Sequence, residues 1–180
     1  MRNYLTYNLA RASGRYASRT VYCEVFLIED GKPLSIEHYN GVYIAEEKVK
    51  RDKHRVDIAK LESSDLSGGY IFLYDNDNIL AEDVTFGPLP GWTNPFVLKD
   101  PNEAPDGGAW LLAYLTRLEE SLRPGSNVNY TRYIDLPAWI DYFLLVELTK
   151  NPDGYRGSTY MHKDKGKPMS MGPAWDYNGE

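Results

Sequence analysis

Near the start of the chain Leu5, Leu9 and Ala12, with Tyr4 and Asn8 beside them, recur at helical spacing, and Gly14 stands where a helix end takes a left-handed residue. Residues 20–28 are rich in branched and aromatic side chains and predict a strand, closed by the turn signal of Asp30 and Gly31. Residues 39–45 predict a second strand ending on Glu46 and Glu47, and the two are expected to pair as an antiparallel ribbon. The charged run 48–55 reads as a solvated face, and 56–61 fits either a helical turn or an extended segment. Ser67, Gly68 and Gly69 introduce a strand over 70–74. Residues 81–108, dense in Pro, Gly, Asp and Asn, predict a long connection. Leu111, Leu115, Leu118 and Leu122 predict a helix over 109–122, stopped before Pro124. Asp135 is placed to cap another helix with Pro137 in its first turn and a buried face of Trp139, Ile140, Phe143, Leu144 and Leu148. A loop holding Asp153, a strand over 158–162, a turn over 164–167 and a strand over 169–171 then lead to Asp176.

Strands early and helices late make an α+β pattern. At 180 residues the chain is long enough for one domain with a real core, and 42% apolar residues with 15 tyrosines argue for a folded globule. A net charge of -6 gives no bulk attraction to nucleic acid or anionic lipid. The single cysteine, Cys23, permits no internal disulfide and is expected as a buried thiol in the first strand. No apolar run reaches the length of a membrane span, and Met1 and Arg2 do not open a signal peptide. The cluster Asp75, Asn76, Asp77, Asn78 lacks the Gly and Glu of an EF-hand loop and reads as a turn. His38, His54 and His162 have no ligand spacing.

The candidate chemistry lies around the last hairpin. Asp153, between Pro152 and Gly154, sits on a sharp turn that presents its carboxylate. Ser158 opens the outgoing strand and Asp176 follows the return strand, so pairing brings Asp176 back toward Ser158. Two carboxylates and a neutral oxygen held together call for a proton or a cation between them, and Mg²⁺ with phosphate ligands meets that need. Arg156 and Lys163 could then neutralise phosphate oxygens, one as a fork and one as a point charge. The same carboxylates could serve a glycosidase, with Tyr155, Tyr160, Trp175 and Tyr177 as an aromatic groove.

Several stretches resemble the spore-coat CotH kinase-like family from end to end: Met1 to Tyr7 with Leu9 and Ala10; Asn40 to Glu46; Ser67 to Ile71; Trp139 to Leu144 with Glu147, Leu148, Asn151, Asp153 to Arg156, Tyr160, Lys163 and Asp164; and Gly172, Pro173, Trp175 and Asp176. The resemblance implies an atypical protein-kinase-like fold truncated at both ends, with ATP as donor, Mg²⁺ as metal and a protein Ser/Thr hydroxyl as acceptor. It implies a catalytic-loop aspartate at Asp153, a metal ligand at Asp176, and a second oxygen ligand at Ser158 or Thr159. Glu46 is implied on the nucleotide side. One partial domain over 1–180 is expected, with a mainly β N-lobe-like part at 1–80 and a helical C-lobe-like part at 109–180. The parent is expected to be extracellular, cell-surface or spore-associated. The basic residue that reaches the donor phosphates is expected upstream of Met1, so the 180-residue piece should transfer phosphate more slowly than a longer one. A non-catalytic surface or coat assembly module, docking through the aromatic-rich segment 86–110, is the alternative reading.

Overall fold

The computed structural model describes residues 2–75, 79–101 and 105–178, the side chain of Pro105 excepted. Asn76, Asp77 and Asn78, most of the expected acidic turn, lie outside the described residues. The chain runs α1 (Arg2–Ala12), β1 (Thr20–Phe26), β2 (Tyr39–Glu46), β3 (Tyr70–Tyr74), β4 (Val84–Phe86), β5 (Phe96–Asp100), α2 (Pro105–Leu122), α3 (Leu136–Thr149), β6 (Thr159–Lys163) and β7 (Ser170–Met171). This is a mixed α/β fold in which three helices meet two antiparallel sheets among the described residues.

The larger sheet has the order β4-β5-β3-β6-β7. Its central strand, β3, is apolar at every position because both of its faces are covered. Tyr70 and Phe72 join Phe86, Phe96, Leu111, Leu115, Leu118 and Met161 in a core beneath α2, whereas Ile71 and Leu73 join Val49, Val56, Val97 and Tyr160 on the opposite face. The period of two also sorts β6: Thr159, Met161 and Lys163 share one face, and Tyr160 and His162 share the other. A third core packs Tyr7 and Ala10 of α1 and Ala17 against Tyr142 and Val146 of α3 and against Ala174 and Tyr177.

The ribbon of β1 and β2 forms as expected, pairing Thr20 with Glu46 through Val25 with Gly41. Both of its faces are largely open, so Cys23 is half-buried rather than enclosed. Residues 81–108 are not one connection: β4 and β5 lie within them, and α2 starts four residues earlier than the leucine spacing suggests. Strands of three and five residues set between Pro and Gly turns are too short to announce themselves by alternation. Residues 56–61 form neither a helix nor a strand, apart from an isolated bridge at Val56.

Two helix faces differ from expectation. In α3 the buried residues are Ala138, Tyr142 and Val146, and Trp139 is half-buried, while Ile140, Phe143, Leu144 and Leu148 are exposed. In α1 Thr6, Tyr7 and Ala10 are buried and Leu5 is 63% exposed. α3, being apolar on most sides, does not select its own buried face. The small residues Ala10 and Ala138 permit close approach, and the tyrosines can bury a ring while their hydroxyls find partners. The expected division into 1–80 and 109–180 does not follow the sheets, because β3 from the first part pairs along its whole length with β6 from the second.

Candidate active site

α3 begins on Asp135, whose side chain accepts from the Ala138 N–H, and ends at Lys150 in a left-handed conformation. The loop that follows is fixed to the helix it has just left. Gly154 lies so close that a Cβ there would come within 2.6 Å of Val146 Cγ1. The Gly154 carbonyl accepts from the buried Tyr142 hydroxyl at 2.8 Å and from Thr159 Oγ1 at 3.3 Å. Inside the loop Asn151 Oδ1 accepts from the Asp153 N–H at 3.1 Å, the side-chain turn favoured by asparagine. The Asp153 carbonyl accepts from the N–H groups of Arg156 and Gly157.

The last strand returns Asp176 to this loop. Ser158 Oγ donates to Asp176 Oδ2 at 3.1 Å, and Asn151 Nδ2 donates to the Asp176 carbonyl at 3.3 Å. Asn151 therefore ties the turn presenting Asp153 to the backbone of Asp176. From the other side the Asp176 N–H donates to the Tyr7 hydroxyl at 3.1 Å, and the Tyr177 N–H donates to Asn3 Oδ1 at 2.7 Å. Asn3 Nδ2 also donates to Glu46 Oε1 at 3.2 Å, which brings the end of β2 into the same corner. Tyr7 is fully buried, and burial pushes its phenol well above the ordinary range, so it stays protonated beside Asp176.

Among the described residues the non-glycine positions with positive φ are Lys150 (53°), Ser158 (49°) and Asp176 (55°). All three border this loop. Each left-handed L-residue costs about 1–2 kcal/mol that surrounding contacts must offset. Here that cost accompanies a hydroxyl and a carboxylate aimed at one another, both on half-exposed residues.

The structure does not gather every candidate. Asp153, Ser158, Asp176 and Glu46 are joined through Asn151 and Asn3. Arg156 Nε pairs with Asp153 Oδ1 at 3.1 Å, with both side chains largely in solvent, an ion pair of little energetic weight. Lys163 is elsewhere: it is 4% exposed and lies about 13 Å along β6 from Thr159 at the strand rise. Its ammonium donates to the carbonyls of Ser67 at 2.6 Å and Asp164 at 2.8 Å. It also lies 5.6 and 5.3 Å from the ring centroids of Trp110 and Tyr114. Desolvation pulls its pKa below the usual lysine value. Strand parity points it beneath α2 rather than toward Asp153.

Asn3 and Tyr7 carry no local signal in the sequence, being about 170 residues from the positions they touch. Asn151 does carry one, its spacing two residues before Asp153. The aromatic groove does not form: Tyr160 and Tyr177 are buried, and Trp175 packs on Tyr7 and Tyr160, which leaves Tyr155 alone exposed.

Among the described residues no three His, Cys, Asp or Glu side chains cluster as a ligand set. The oxygens that do converge, the Asp176 carboxylate and the Ser158 hydroxyl, are hard donors of the kind Mg²⁺ takes alongside water and phosphate. They fit such an ion as a partial set.

The family model described as CotH kinase protein matches residues 1–180, and the chain belongs to that family. No curated protein and no solved structure matches the chain. No helix among the described residues is long and apolar enough to cross a membrane.

Proposed function

We propose that this chain carries the acid-bearing edge of an atypical protein-kinase-like fold that transfers phosphate from ATP to a Ser or Thr hydroxyl of a protein. The observation that carries this reading is the Ser158 to Asp176 hydrogen bond between two left-handed residues, tied by Asn151 to the turn that presents Asp153. Family membership supports it.

Asp153 accepts the proton of the attacking hydroxyl as its oxygen bonds the γ-phosphorus of ATP, the bond from that phosphorus to the β–γ bridging oxygen breaks, and ADP leaves. Arg156, paired with Asp153, stands ready to neutralise a phosphate oxygen. Asp176 and Ser158 would hold Mg²⁺, which when bound supplies neutralisation of the triphosphate charge. Glu46 positions Asn3, and Asn3 holds the Tyr177 N–H next to Asp176, so the two ends of the chain fix one corner. Tyr7 holds the Asp176 backbone from beneath.

The assembly-module alternative is not favoured by the segment that motivated it. Phe86, Leu89 and Phe96 of residues 86–110 are buried in the core.

The test is transfer of labelled phosphate from ATP to a serine-rich peptide, with and without Mg²⁺. Transfer should require the metal, and Asp153→Asn should lower the rate by about a hundredfold or more while the melting temperature holds. Metal-independent transfer, or an unaltered rate in Asp153→Asn, would overturn the reading.

A further inference from the structure

Beside the Asp153 loop, on the α2 face of the sheet, lies a cavity of about 300 Å³ that no part of the phosphoryl-transfer reading uses. Its floor is Phe96, Leu118 and Met169, all buried, and its lip is Leu122, Trp92 and Tyr155, each substantially exposed. Thr159 and Met161, on the α2-facing side of β6, complete the wall nearest the loop. The pocket and the candidate site therefore share a border: Tyr155 is two residues from Asp153, and Thr159 follows Ser158 directly.

Most polar groups around the cavity are already engaged. Trp92 Nε1 donates to Glu119 Oε1 at 2.6 Å, Tyr155 Oη donates to Glu147 Oε1 at 2.9 Å, and Thr159 Oγ1 donates to the Gly157 carbonyl at 2.9 Å. A ligand that buried polar atoms here would leave them unpaired, so the occupant must be apolar inside and polar only at the lip. The volume lies at the floor of the range for small-molecule pockets and suits one large side chain better than an extended cofactor. An apolar side chain on a polar backbone has that form, and a polypeptide running past Tyr155 would already lie at the Asp153 loop.

We propose that this pocket receives a large apolar side chain, leucine or aromatic, of the polypeptide that supplies the acceptor hydroxyl, a reading that rests on the function proposed above. The pocket selects the substrate by an anchor a few residues from the phosphorylated position. The anchor sets KM, and Asp153 and Asp176 set turnover.

The experiment scans one leucine or tryptophan through every position on either side of the serine in an otherwise small and polar peptide. One placement should lower KM by about tenfold without changing kcat. Leu122→Lys, an exposed change at the end of α2, should return that KM to the value of the anchor-free peptide and leave the anchor-free reaction unaltered. A fluorescent version with alanine in place of serine is titrated in parallel without ATP and should bind with the same positional preference. Anchor-dependent binding without any transfer keeps the pocket and discards the kinase reading. Transfer with equal KM for every peptide discards the pocket and keeps the kinase reading. An anchored peptide indifferent to Leu122→Lys, binding of free indole with no preference among peptides, or no binding by any peptide would each overturn the proposal.

Discussion

At its Thr159 end β6 runs into Gly157, Ser158 and Asp176, a half-exposed corner of oxygens with left-handed backbone on both sides of one hydrogen bond. At its Lys163 end the same strand passes beneath Trp110 and Tyr114 and gives up a lysine ammonium to two main-chain carbonyls. Both ends hold a polar residue suited to a phosphate site, and only one is available to a ligand. The difference comes from which groups are already satisfied. Lys163 has spent its charge on the fold, whereas the Asp176 carboxylate accepts one hydroxyl and remains half-exposed.

Substitutions at the two ends should separate chemistry from stability. Gly154→Ala should disturb both, since its Cβ would meet Val146 within 2.6 Å and the loop would have to lift from α3. A loss of about 2–3 kcal/mol on chemical denaturation is expected, together with slower phosphate transfer per folded molecule. If transfer survives at the wild-type rate, the loop's seating on α3 does not position Asp153.

Lys163→Met should cost about 2 kcal/mol, because the Ser67 and Asp164 carbonyls lose their donor while the aliphatic volume is kept. Urea denaturation measures the loss. Transfer per folded molecule should be unaltered, and a large drop in turnover at constant stability would restore Lys163 to the site.

The adjacent acids at the end of β2 offer a smaller version of the same contrast. Glu46 faces Asn3 and the Asp176 corner, whereas Glu47 is clamped by Arg19 and by Arg55 at 3.2 Å. The hydrogen bond from Arg19 is the largest influence pulling the Glu47 carboxyl down to about 2, against an ordinary 4.5. A depressed carboxylate pKa stabilises the fold above the unfolded value and loses that contribution as pH falls from about 4.5 toward 2. Glu47→Gln should remove about 1 kcal/mol at neutral pH, an amount limited by the exposure of Arg19, and flatten the acid limb of stability against pH. An unaltered acid limb would contradict the clamp.

What the sequence revealed was mostly local. The β1–β2 ribbon, the Asp135 cap and the β6–β7 hairpin follow from turn residues and spacings within a few positions. The Ser158 to Asp176 approach was legible for the same reason, since hairpin return fixes where the chain comes back. The face of α3 was not, because apolar residues on several sides leave the choice to distant neighbours, and α1 buries Thr6, Tyr7 and Ala10 rather than its leucines, in a core with Ala174 and Tyr177. β4 was hidden by its brevity, and β5 by the Pro- and Gly-rich turns around it. Lys163 was expected at phosphate oxygens, but its parity with Met161 on β6 turns it toward the core beneath α2. Asn3 and Tyr7 lie in the stretch that carries the family resemblance, yet their place in the corner follows only from tertiary folding.

The most direct measurement is a paired titration of Mg²⁺ and ATP onto Asp176→Asn and Lys163→Met by calorimetry, each compared with wild type at a temperature where both variants are folded. The account predicts that Asp176→Asn abolishes the metal-dependent part of nucleotide binding and keeps its stability, while Lys163→Met binds as wild type and melts earlier. Metal-dependent binding that persists in Asp176→Asn, or is lost in Lys163→Met, would place the chemistry at the wrong end of β6 and contradict it.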